Sequence, residues 1–203
     1  MFERFRRDLQ RLFELDGSGR STLRSKVEVL FHSPQIQAIA VYRFGRWTND
    51  NVRIPLVRTP LKAAYYLADK AVQAMWGIHI DEGADIGAGL YIGHPGLLLV
   101  GPVKMGKDCN LSPNTMIGRR TDGVGPSGTP TFGDRVWIGA GSIIFGQITI
   151  GDGATVGPLT VVGRNIAPRS LVVGNPMQVV KRDHDNTHQI YGSSARAPAA
   201  GTT

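Results

Sequence analysis

The sequence predicts an α+β chain, an N-terminal α-helical segment followed by a parallel β-helix built from six-residue units. Three observations predict it. Large aliphatic residues recur every six positions over most of the stretch from Ile80 to Val162, and a glycine follows most of them. Glycine is skewed, with 4 before residue 78 and 22 from there on. Before residue 78 the apolar residues follow helical spacing instead, and 13 Lys and Arg stand against 7 Asp and Glu; from 78 on the counts are 10 and 9. Two segments of different physics meet near Gly77.

The helical segment, residues 1–77, reads as four helices. Phe2, Phe5, Leu9, Leu12 and Phe13 lie on one face of residues 2–15, and Asp16-Gly17-Ser18-Gly19 ends that helix. Residues 22–31 and 35–48 read as two more, split by Ser33-Pro34, with Pro34 suited to a helix start. Pro55 and Pro60 read as punctuation of the next loop, and residues 61–76 as the fourth helix.

From residue 78 the repeat takes over. Ile80, Ile86, Ile92 and Leu98 are six apart; after a slip of one come Met105, Leu111 and Ile117; after an insertion come Phe132, Ile138, Ile144, Ile150, Val156 and Val162. Four positions beyond the aliphatic residue the side chain is mostly small, as at Ala84, Gly96, Cys109, Thr115, Ser142, Ala154 and Thr160. A helix does not tolerate a glycine every cycle, because each costs about 1 kcal/mol. Period six fits a short strand plus a corner. Three such units close a triangular coil, and coils stack with the aliphatic residues along the prism axis. The boundaries are residues 78–167 for the β-helix, with a loop 119–131 leaving it, 168–182 for a closing cap, and 183–203 for a polar tail read as disordered.

Composition excludes several classes. With 41% hydrophobic and 19% charged residues the chain is globular, and its length suffices to bury about 70% of the unfolded surface. One cysteine, Cys109, excludes an internal disulfide framework, and its small-residue position in the repeat makes it core. No run of about 18 apolar residues predicts a membrane span, and the charged N-terminus has no signal-peptide core, so a cytoplasmic protein is expected. The net charge of +7 carries no base-reading motif, so nucleic acid is not an expected partner.

Function is expected where the repeat breaks. The first break is Ile92-Gly93-His94-Pro95-Gly96 with the slip after it; the second is the Gly- and Pro-rich insertion from Arg119 to Pro130. His94 and His79 are the two histidines of the repeat region. Imidazole near its neutral point takes a proton from a hydroxyl, which makes His94 a candidate general base for attack on a thioester. A partner on its other ring nitrogen fixes the tautomer and stabilises the imidazolium, and Asp81 and His79 are the candidates. Zinc is not expected, because the repeats hold no third histidine.

The pattern resembles the hexapeptide-repeat left-handed β-helix, and the whole chain from 1 to about 181 resembles the serine acetyltransferase family of acetyl-CoA-dependent O-acetyltransferases. The residues that carry the likeness are Arg7-Asp8, Phe13, Asp16, Arg20-Ser21, Glu28-Val29-Leu30, Ala38-Ile39, Arg43 and Trp47 in the helices. In the repeats they are Asp85-Ile86-Gly87, Gly89-Leu90, His94, Val100-Gly101, Gly139-Ala140-Gly141, Val172 to Pro176 and Val179-Val180. The resemblance implies a left-handed coil, a homotrimer with sites between subunits, acetyl-CoA as co-substrate, and His94 as the base, with no metal and no covalent enzyme intermediate. It implies CoA or oxyanion contacts near the backbone of Gly139 and Ala140. Lys181 and Arg182 are then candidates for the CoA phosphates.

The departures concern the acceptor. The family's Asp 15 residues before its histidine is His79 in this chain, with Asp81 two further on; the family's Asp directly before the histidine is Gly93. Where the family has an Arg-His pair before a proline to hold the amino acid, this chain has Gly128-Thr129, leaving Arg119 and Arg120 as substitutes. The segment Gly89-Leu90-Tyr91-Ile92-Gly93-His94-Pro95-Gly96 is also similar to the branch that acetylates sugars of exopolysaccharides and surface glycans. The expected acceptor is therefore a small hydroxyl compound, L-serine or a saccharide. The rival from another class is a non-catalytic trimeric scaffold. A nucleotidylyltransferase would need an α/β nucleotide domain that the sequence lacks.

Overall fold

The computed structural model describes residues 2–15, 32–120 and 127–192. Helix α1 spans Phe2–Leu15 and buries Leu12 and Phe13, together with two ionic side chains, Asp8 and Arg11. The expected helix at 22–31 lies outside the described residues. Helix α2, Pro34–Asn51, starts on Pro34, whose missing N–H costs nothing in a first turn, and buries Ile36, Ala38, Ile39 and Tyr42.

Helix α3 corrects the sequence expectation. It begins at Pro55 and runs through Pro60 to Trp76. Both prolines fall near the start: Pro55 needs no donor there, and Pro60 removes one bond from the second turn without ending the helix. The helix stops at Gly77, which adopts φ 70° and donates its N–H to Gln73 O at 3.0 Å. A left-handed residue is the ordinary way to end a helix and turn into a strand.

Five coils follow. The first sheet stacks β1 (Ile78–Ile80), β4 (Leu98–Val100), β7 (Thr115–Gly118), β10 (Ile143–Phe145) and β13 (Val161–Val162) in parallel. The second stacks β2 (Asp85–Ile86), β5 (Lys104–Met105), β8 (Thr131–Phe132) and β11 (Thr149–Ile150). The third stacks β3 (Tyr91–Ile92), β6 (Asn110–Leu111), β9 (Trp137–Ile138), β12 (Thr155–Val156) and β14 (Leu171–Val173), closed by the antiparallel β15 (Gln178–Lys181). All 13 repeat positions read from the sequence are buried, none more than 4% exposed. Removing one such side chain to alanine costs about 2–5 kcal/mol.

Register corrects one position. Ile80 pairs with Val100, and Leu98 pairs with Ile78. The second coil's axial residue in the first sheet is thus Val100, eight residues after Ile92, and Met105 follows only five later. The apparent slip of one is a two-residue insertion at the corner that holds His94, followed by a one-residue deletion.

The tail also departs from expectation. Residues 183–192 are built into the fold: helix α4, Thr187–Tyr191, buries Ile190 completely. Arg11, 0% exposed, reaches it by donating Nη2 to Ile190 O at 2.7 Å, and also donates to Cys109 O at 3.1 Å, to Gly89 O and to Asn110 Oδ1. Asn110 Nδ2 donates to Gln189 O at 3.0 Å. The segment is polar because its ordering rests on these hydrogen bonds and one isoleucine. Among the described residues no helix is long and apolar enough to cross a membrane.

Cys109 is fully buried at its small-residue position, and burial pushes its thiol up to about 12. The folded protein should therefore not react with a thiol reagent such as Ellman's reagent until it is denatured. Release of one equivalent under native conditions would contradict this placement.

Candidate functional site

The corners that lead from the third sheet to the first stack into one edge of the prism. They carry His94, then Pro113 and Asn114, then Ala140 and Gly141, then Pro158 and Leu159; the turn from Gly174 to Met177, which leads from β14 back to β15 of the same sheet, lies over the last of them. Backbone bonds tie them together: Gly141 N donates to Pro113 O at 3.1 Å, Leu159 N to Ala140 O at 2.8 Å, and Val161 N to Gly174 O at 3.1 Å.

The first corner is the enlarged one. Gly93 N donates to Leu111 O at 2.9 Å and Leu98 N to Gly77 O at 2.9 Å, which pins the two ends of the insertion. Gly96 takes φ 148°, and a Cβ there would meet Pro113 Cβ at 2.9 Å, so only glycine closes this loop. Gln35 of α2 donates Nε2 to Gly93 O at 3.5 Å. His94 itself is exposed, and no described residue bonds to its ring. The scaffold holds the loop through glycine and backbone and leaves the imidazole unused.

The two candidate partners of His94 are placed differently. Asp81 is at the far end of β1, where its Oδ1 caps Gly83 N at 2.7 Å; the structure does not bring it to His94. His79 faces outward from the middle of β1, beside Leu99 of the next coil. Its Nδ1 lies 3.1 Å from Asp69 Oδ1 and 2.8 Å from Gln73 Nε2, and Gln73 Nε2 donates to Asp69 Oδ2 at 2.6 Å. Asp69 and Gln73 sit on the last two turns of α3. Sequence reasoning missed both. The one signal for them was that Asp69 is the sole acidic residue of that helix.

The backbone candidates separate. Gly139 N donates to Val156 O at 2.8 Å, so this amide belongs to the ladder and is not free for a ligand; a Cβ there would meet Pro158 N at 2.6 Å, and glycine is a packing requirement. The N–H of Ala140, one residue on, has no described partner, and coil spacing sets it roughly 10 Å along the edge from His94. At the last corner Arg164, Asn175, Pro176, Met177 and Gln178 line a groove of about 530 Å³, with Arg164 held by Met177 O at 2.8 Å. Arg164 was not among the residues expected from the sequence. Lys181 and Arg182 are exposed, but Lys181 pairs with Leu171 at the other end of β15, away from this groove.

Of the two insertion arginines, Arg119 is exposed, whereas Arg120 is engaged: its guanidinium lies 4.8 Å over the Phe145 ring and Nη2 donates to Gly163 O at 3.1 Å. Arg120 therefore holds the base of the loop against the coil. Residues 121–126 lie outside the described set.

Comparison with known proteins bears on the same features. The family model for the hexapeptide repeat of succinyl-transferase matches residues 131–158. A serine acetyltransferase of Mycobacterium tuberculosis is 30% identical over 181 residues, which is 89% of this chain and 73% of the relative. One from Staphylococcus aureus is 31% identical over 191 residues, 90% of this chain and 80% of the relative. Among solved structures, Neisseria gonorrhoeae serine acetyltransferase in complex with serine aligns at TM-score 0.71 and 25% identity, over 88% of this chain and 68% of that one. The likeness spans both the helical segment and the prism, so by sequence and by fold this chain belongs to the serine acetyltransferase family of hexapeptide-repeat O-acetyltransferases.

Proposed function

We propose that the chain transfers the acetyl group of acetyl-CoA to a hydroxyl of a small polar acceptor, L-serine in the first reading. The observation that carries this is the enlarged corner: a two-residue insertion that the prism does not need, closed by Gly96, presenting an imidazole that the prism does not use. His94 takes the hydroxyl proton as the oxygen attacks the thioester carbonyl. The tetrahedral intermediate collapses by breaking the C–S bond, and the imidazolium returns the proton to the departing CoA sulfur. The Ala140 N–H on the same edge is a donor for the oxyanion or for the pantetheine amides. CoA laid along this edge would reach the last corner, where Arg164 meets its phosphates; Lys181 and Arg182, at the far end of β15, serve only a nucleotide that extends across that strand.

The edge is exposed and apolar at Leu97, Met116, Ile143 and Leu159, between 40% and 74% each. A second copy packed there would supply the other wall of the acetyl-CoA groove, which supports a homotrimer with sites between subunits. The reading places the protein in the cytoplasm.

A second reading has its own observation. With Gly128-Thr129 in the insertion and Arg120 engaged on Phe145, Arg119 is the remaining candidate for an amino-acid carboxylate. A saccharide needs no such cation, so a glycan acceptor fits this insertion. Turnover of acetyl-CoA, read as free thiol, against L-serine, homoserine and a panel of sugars decides between them. Serine-dependent thiol release supports the first reading and sugar-dependent release the second. Absence of acetyl-CoA binding in calorimetry overturns both and leaves a scaffold.

A further inference from the structure

Asp69 is 7% exposed, the sole acid of α3, and points at the β-helix instead of solvent. Its two oxygens are occupied by Gln73 Nε2 at 2.6 Å and His79 Nδ1 at 3.1 Å. Gln73 Nε2 also lies 2.8 Å from His79 Nδ1, so two tautomers are open to the ring: with the proton on Nδ1, the ring donates to Asp69, Gln73 spends its N–H on the other carboxylate oxygen, and Nε2 is left with a lone pair. The His79 side chain is 32% exposed, and no described residue bonds to Nε2. Helix α3 runs into β1 through Gly77, whose Cβ position is 3.3 Å from Leu97 N in the His94 loop, and His79 itself pairs with Leu99 just beyond that loop. The cluster thus borders the enlarged corner.

We propose that Asp69, acting through His79, is a positioning residue for His94: His94 Nδ1–H donates to His79 Nε2, and His79 Nδ1–H donates to Asp69. The inference rests on His94 being the base. It explains why a buried carboxylate stands on a helix that has no other acid. The chain of hydrogen bonds holds the His94 ring with Nε2 toward the acceptor, and when His94 takes the proton the Asp69 charge stabilises the imidazolium through an intervening neutral ring. Gln73 keeps Asp69 in place by holding its second oxygen. Neither Asp69 nor Gln73 touches substrate.

The test pairs a loss with a rescue. Asp69→Asn should lower kcat by about 10²-fold with KM for acetyl-CoA unchanged. Adding His79→Asp to that variant places a carboxylate directly beside the loop, with the new side-chain amide on α3 and that of Gln73 as donors to it, and should restore most of kcat. A single His79→Asp would set two carboxylates against each other and is not the informative variant. Full kcat in Asp69→Asn overturns the proposal, and so does a double variant no better than the single. If Asp69 served only to hold α3 on β1, the double variant would stay impaired. His94→Ala separates the two levels: turnover retained there sinks the base itself, whereas a dead His94→Ala beside a fully active Asp69→Asn sinks only the relay.

Discussion

Replacing His94 with alanine should lower turnover by roughly 10²–10⁴-fold while leaving the protein folded and its oligomeric state unchanged. The size follows from the loss of a base that accepts the acceptor's proton in the transition state. The selectivity follows from the loop. Its ends are fixed by Gly93 N to Leu111 O and Leu98 N to Gly77 O, its closure by Gly96 against Pro113, and the His94 ring contributes to none of these. Exposed substitutions away from packing usually shift stability by less than about 0.5 kcal/mol. Steady-state thiol release, read beside thermal unfolding and light scattering, checks both halves. Nearly full turnover in a folded variant would end the role of His94 as base. A variant that unfolds would show the ring to be structural, against its exposed and unbonded placement.

Much of this architecture is legible in the sequence because the axial positions of the prism tolerate nothing but large apolar side chains, so the period is written in one residue class. The register at the first enlarged corner is not. Leu98 and Val100 stand two apart on one strand, both point inward, and both are apolar; which of them stacks on Ile80 is settled by cross-strand pairing, which no local pattern encodes. Helix α3 reads too short in the sequence because Pro55 and Pro60 are breakers in a helix interior but not near a helix start. The outlying His94 is visible as a break in the repeat. The Asp69–His79 contact is not, since a helix end folds back across Gly77 to make it. Nor does sequence say that the Gly139 amide is taken by the ladder while that of Ala140 is left over.

Asp8→Ala is the substitution expected to cost most in stability. Asp8, 1% exposed, accepts from Arg43 Nε at 2.9 Å, Arg43 Nη2 at 3.1 Å, Gly89 N at 2.7 Å and Leu90 N at 2.8 Å. Burial pushes its carboxyl up, and Arg43 and the two amides pull against that. Arg43 in turn donates to Ile86 O at 2.6 Å and Gly87 O at 2.7 Å. One ion pair thereby fastens α1 and α2 to the first coil, a few residues ahead of the His94 corner. Truncating Asp8 leaves a buried guanidinium without its counter-charge and two amides without an acceptor, a loss of about 3–5 kcal/mol. Chemical denaturation measures it, and a loss below about 1 kcal/mol, the worth of an exposed pair, would show that the clamp is not what holds the helices. The double variant Asp8→Ala with Arg43→Met should lose less than the two single variants together, because removing both charges removes the unpaired one. If that double variant is stable yet turns over slowly, with KM for acetyl-CoA unchanged, then the buried pair has been setting where the helices meet the coil, and the His94 corner needs that placement.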